Sequence, residues 1–134
     1  MNRSDLYSKI CHVLANLNDL ASDGAPVCLA LYRNDGALMA LLRMPDVPAR
    51  IEHMAIGKAY TCAKMGCSTA ELHERLCREH ITLADFMDPR MTSMQGGVPL
   101  KDKEGNTLLG IGVSGRTAQE DEKLALRICA MLEE

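Results

Sequence analysis

The chain has 134 residues, enough for one domain around a single hydrophobic core, and 47% hydrophobic with 25% charged residues is an ordinary globular balance. A net charge of −3 gives no global attraction to nucleic acid or to an anionic membrane, and three tyrosines, one phenylalanine and no tryptophan are too few for a stacking platform. No stretch approaches the roughly 20 apolar residues of a membrane span, and the first residues lead into an amphipathic pattern, without the features of a signal peptide.

Ser4 is positioned to cap a first helix that runs to Ala21 and stops at Gly24. Leu6, Ile10, Val13, Leu14, Leu17 and Ala21 form its apolar stripe, and His12 points away from that stripe, to solvent or to another subunit. Val27 to Tyr32 is a continuous apolar run, the mark of a central strand. Asn34-Asp35-Gly36 is a turn, after which Leu38 to Met44 returns antiparallel. Pro45 and Pro48 bracket a loop before a second helix from Ala49 to Met65, which Gly66 ends. Ser68 and Glu71 fit a capping box that opens a third helix reaching about Glu79. Thr82 to Met87 adds a helical turn. Val98 to Lys101 and Thr107 to Val113 form a second hairpin, and Thr117 with Glu120 caps a last helix whose core face is Leu124, Ala125, Ile128, Cys129 and Leu132. Two hairpins separated by helices define an α+β layer fold with an antiparallel sheet, in the order α-β-β-α-α-β-β-α. No repeat or linker divides the chain, so residues 1–134 read as one domain.

Several side chains stand out chemically. Ile51, Ala55, Lys58 and Cys62 share one face of the second helix, so Lys58 interrupts an apolar stripe. A buried ammonium must snorkel, pair, or meet an anionic ligand. His53, Ile56 and Tyr60 mark the opposite face, a pattern suited to a subunit interface or a tetrapyrrole contact. His73, Cys77 and His80 fall at i, i+4 and i+7, a spacing compatible with metal ligation if a fourth ligand comes from elsewhere. The glycines of Gly110 to Gly115 let a helix pack closely on a strand, or open a helix N-terminus to an anion. Glu120, Asp121 and Glu122 read as a solvated acidic first turn that complements the helix dipole. No recognisable catalytic motif is present. The six cysteines have no paired spacing and suit a reducing cytoplasm.

Gly110-Ile111-Gly112-Val113-Ser114-Gly115, followed by Gln119-Glu120-Asp121-Glu122, resembles the signature of the GlcG/HbpS family, which includes the C-terminal domain of PduO-type proteins. Pro26-Val27, Asp35-Gly36, Arg43-Met44, Ala55-Ile56-Gly57-Lys58-Ala59-Tyr60-Thr61 and Gly96-Gly97-Val98-Pro99-Leu100 match in the same order, from about Leu14 to Leu132. Arg33, Pro45 and Arg116 depart from the family pattern. The resemblance implies a profilin-like sheet flanked by helices. It also implies a non-catalytic binding protein for haem or a related tetrapyrrole, accessory to glycolate or diol utilisation or to a bacterial microcompartment. Homodimers assembling into rings or octamers are implied as well. The ligand cleft expected on this basis lies among Lys58, Gly96, Gly97, Ser114 and Gly115 and suits a small anion or a tetrapyrrole. His12 is the first choice of axial ligand to a haem iron, matched by its place on the first helix, and His53 the second. A cofactor-free scaffold and a small enzyme acting on a carboxylated metabolite beside Lys58 and Ser114 are the competing readings.

Overall fold

The computed structural model describes residues 2–133. Its first helix, α1, spans Arg3–Ala15 and is capped by Asn2, whose side chain accepts the Asp5 amide at 2.8 Å. Ser4 therefore lies inside the first turn and is not the cap. The helix also stops earlier than the apolar stripe suggests. Asn16 turns its side chain back onto the His12 carbonyl at 2.8 Å, a local bond that competes with helix continuation, and a short helix α2 follows at Leu17–Leu20. Leu17 and Ala21 still reach the core across this break.

Four strands follow the two-hairpin expectation: β1 Cys28–Arg33, β2 Leu38–Arg43, β3 Gly97–Lys101 and β4 Thr107–Ser114. They form one antiparallel sheet in the order β2-β1-β4-β3, with Cys28 opposite Ser114 and Ala30 opposite Gly112. The first hairpin turns at Gly36, φ 85°, with the Asp35 carboxylate accepting the Ala37 amide. In the second, Asp102 gathers the amides of Glu104 and Asn106.

Both faces of the sheet are covered, which is why β1 and β4 read as continuous apolar runs. On one face α1, α2 and the last helix, α5 (Ala118–Glu133), pack on Leu29, Leu31, Leu100, Leu109, Ile111 and Val113. On the other lies α3, Ala49–Met65, whose C-cap Gly66 is left-handed at φ 68°. Here the glycines of β4 explain themselves. A Cβ on Gly110 would sit 1.9 Å from the Ala59 carbonyl oxygen, and one on Gly112 would sit 2.2 Å from that of Ala55. The helix therefore rides directly on the strand backbone. Next, α4 (Thr69–Glu79) opens with the Ser68–Glu71 capping box, and a 3-10 turn follows at Leu83–Phe86. The segment from Asp88 to Gln95 then returns alongside α3, held by the Thr92 amide on the Thr61 hydroxyl at 2.9 Å.

Candidate functional site

Lys58 points to the end of the sheet where β4 meets α5. Its ammonium is 1% exposed and donates to the Val113 carbonyl at 2.9 Å and to the Asp121 carboxylate at 3.2 Å. Of the three fates open to this lysine, the structure shows pairing, not snorkelling. Burial pushes the Lys58 ammonium down and the Asp121 carboxyl up, and each partner's charge opposes the other's shift. Asp121 is thus not part of a solvated acidic turn. It is 3% exposed and also accepts the Arg116 amide at 3.0 Å. Its place was readable, since Asp121 precedes Leu124, Ala125 and Ile128 by three, four and seven residues, on the same core face.

The expected anionic cleft is therefore largely filled from within. Gly96 does lie beside the pair, where an added Cβ would be 2.6 Å from Lys58 Nζ, and Gly97 is packed against Cys62 and the Lys58 carbonyl. Gly115, φ 133°, allows close approach to Pro26. The amides that open α5 are occupied as well: Asp121 takes that of Arg116, while Thr117 and Glu120 cap one another. Arg116 itself ties the α2–β1 loop through the Ala21 and Ala25 carbonyls and Asp23. Ser114 lies opposite Cys28 with its hydroxyl buried and, among the described residues, without a partner. Burial pushes the Cys28 thiol up to about 11, so this thiol stays protonated and behaves as a small hydrophobe.

An open cavity does exist on the outer side of α3. It measures about 250 Å³ and is lined by His53, Met54, Gly57, Lys58, Arg90, Thr92 and Met94. A second, of about 620 Å³, lies across Thr92 and Met94 and reaches His73 and Glu74. Arg90 and Met94 were not identified from the sequence, because they belong to the return segment that only the fold brings to α3. Tyr60 is anchored there too. It is buried rather than part of an exposed stripe with His53 and Ile56, because its hydroxyl bonds Asp88 and receives Arg90 Nη2 at 2.6 Å. The Arg90 guanidinium lies 4.0 Å above its ring, and Tyr32 meets the ring edge-on with centroids 5.7 Å apart. Lys64 completes the group with a 2.6 Å bond to Asp88.

His12 lies on the opposite side of the sheet. It lines a groove of about 340 Å³ with Asn16, Asp19, Leu20, Ser22, Asp23, Arg127 and Met131. Within one chain, His12 and His53 therefore do not share a site. On α4, His73 Nε2 and Cys77 Sγ stand 3.8 Å apart, whereas His80 is the left-handed C-cap at φ 55° and leaves the helical face. Among the described residues, no group of three or more His, Cys, Asp or Glu side chains is placed to hold a metal ion.

A four-stranded antiparallel sheet with helices on both faces defines a profilin-like α+β fold, here with a histidine-lined cavity outside its central helix. The chain belongs to the family of HbpS-like haem degrading proteins, whose family model matches residues 7–130. Among solved structures, a double mutant of HbpS from Streptomyces reticuli is 28% identical at a TM-score of 0.82, covering 96% of this chain and 86% of that one. A second HbpS structure is 25% identical at a TM-score of 0.81, covering 100% and 91%. A PduOC–haem complex is 22% identical at a TM-score of 0.80, covering 98% and 94%, a likeness of fold. No curated protein is detectably similar to the chain. No described helix is long and apolar enough to cross a membrane.

Proposed function

We propose that the protein binds haem or a closely related tetrapyrrole and acts as a binding protein without catalysis of its own. Family membership supports the haem part of this reading, as does the haem of the PduOC structure of the same fold, while the non-catalytic part rests on the lack of a recognisable catalytic motif in the sequence. The chemistry of the cavities refines it. The groove at His12 carries Asp19 and Asp23, which repel propionates, and its Arg127 is already drawn to Asp23 at 3.3 Å. The cavity at His53 contains no carboxylate. Met54 and Met94 offer apolar, polarisable walls, His53 supplies an imidazole, and Arg90 is a cation at the rim that is two-thirds exposed although it also lies 3.6 Å from Asp88. These residues fit the group. This favours His53 over His12 as axial ligand, a reversal of the order expected from the first-helix resemblance. Of the residues expected to form the cleft, Lys58 lines this cavity and Gly96 packs beside its ammonium, whereas Gly97, Ser114 and Gly115 are not among the lining residues.

The 250 Å³ cavity adjoins the 620 Å³ one across Thr92 and Met94, and both are open, so on this proposal a second copy of the chain covers the exposed side of the macrocycle. The protein is on this reading a homo-oligomer, a dimer or a larger closed assembly such as an octamer. Its six free thiols suit a reducing cytoplasm. Resemblance to the PduO domain extends the proposal to an accessory role in glycolate or diol utilisation, within a bacterial microcompartment.

The test is haem titration of the purified apoprotein alongside His53→Ala, His12→Ala and Arg90→Ala. Binding with a Soret band that shifts in His53→Ala and persists in His12→Ala supports the assignment. The opposite pattern returns the iron to His12, and absence of any Soret shift in the parent overturns haem binding.

A further inference from the structure

We propose a metal site on α4 that is half-built in each chain: His73 and Cys77 bind one zinc-type divalent cation together with the same two residues of a second copy. The inference does not depend on the haem reading. His73 Nε2 and Cys77 Sγ are already 3.8 Å apart on adjacent turns of an exposed helical face. With Zn–N of about 2.0–2.1 Å and Zn–S of about 2.3 Å, tetrahedral ligation puts two such donors about 3.6 Å from each other. Only small side-chain rotations separate the observed pair from a chelate, and the α4 backbone is fixed by its capping box and by buried Leu72 and Leu76.

Two ligands leave half of a tetrahedral shell to be filled. No described residue of the same chain joins them into a group of three, and His80 turns away at the helix end. A second copy is the occupant that matches. A two-fold axis through the metal sets His73 of each chain opposite the other's Cys77, giving the S₂N₂ set that zinc favours. Ala70, His73 and Cys77 follow at i, i+3 and i+7, with a small residue one turn before the ligands; Glu74 flanks the stripe, and its carboxylate, like the thiolates, is drawn to a divalent cation between the two copies. Binding requires Cys77 as thiolate, so each thiol releases its proton to solvent as the metal enters.

The experiment is a Co²⁺ titration of the reduced, haem-free protein, read by thiolate-to-cobalt absorption, followed by Zn²⁺ displacement. Saturation at one metal per two chains is expected. Cys77→Ser should abolish the absorption and His73→Ala should weaken binding by more than about 100-fold, beyond what loss of an outer hydrogen-bond partner costs. Cys11→Ser, which removes the other exposed thiol, should change nothing. Light scattering on dilution should show a mass that Zn²⁺ sustains and EDTA reduces. Saturation at one metal per chain, absorption that survives Cys77→Ser, or a mass indifferent to both zinc and EDTA would each overturn the bridged site.

Discussion

Lys58 and Asp121 illustrate how a charge is tolerated in this core. Neither side chain reaches solvent, and each satisfies the other while also holding backbone, Val113 through the lysine and Arg116 through the aspartate. Taking one partner away strands the other, which in buried pairs costs about 3–5 kcal/mol. Lys58→Met and Asp121→Asn should each lower stability by that order in urea unfolding. The double variant should recover part of the loss, because no lone charge remains and Asn can still accept the Arg116 amide. Strict additivity of the two losses would show that the residues act independently. Asp88 behaves differently with pH. Its hydrogen bonds from Lys64, then Tyr60, hold its carboxyl well below the usual value of 3.8. The stabilisation is therefore complete above the unfolded value and fades as pH drops below about 4 toward the folded one. Asp88→Asn should flatten the acid limb of stability between about pH 5 and pH 2, and a limb as steep as the parent's would contradict the role given to this cluster.

At the scale of elements, β4 and α3 are matched by what β4 lacks. Adding a methyl group at Gly110 drives it into the Ala59 carbonyl of a helix that cannot retreat, because the 88–95 segment closes over its other side. Gly110→Ala should cost at least the roughly 1–3 kcal/mol of ordinary overpacking. By contrast, Gly36→Ala meets no atom within 4 Å and pays only for its positive φ, about 1 kcal/mol. Thermal melts of the two variants separate close approach from conformational freedom; equal shifts would refute the distinction. The same contrast explains what could be read beforehand. Apolar runs, the Gly66 stop and the Ser68–Glu71 box act over a few residues, and the corresponding elements formed where expected. The break at Asn16 was hidden because the apolar stripe continues through it to Leu17 and Ala21. Tyr60 was misjudged for another reason. Helical spacing tells which way a side chain points but not what covers it, and its cover, Asp88 and Arg90, lies far along the chain. The cavity at His53 was only half legible for the same reason, since Arg90 and Met94 form its far wall.

On the scale of the whole molecule, β2 is an outer strand whose residues from Leu38 to Leu42 carry no charge, with Leu38 47% and Leu42 36% exposed. Such an edge invites pairing with another chain unless an assembly covers it. Light scattering at micromolar concentration should give a mass above that of one chain, and Leu42→Lys should reduce it; a monomeric parent would remove the homo-oligomer from the proposal. The strand order has a further effect, on how the molecule comes into being. Each hairpin can zip locally, but the centre of the sheet is the pairing of Cys28 with Ser114, from opposite ends of the chain. Until β4 has been synthesised, β1 has an open inner edge, and α3 lacks the strand backbone on which it rests. Closing so long a loop before any contact rewards it makes folding slow, on the ms–s scale of sheets dominated by distant pairings. A nascent chain that has not passed Ser114 should therefore lack native circular dichroism and remain sensitive to protease, while the addition of β4 and α5 should restore resistance in a single step.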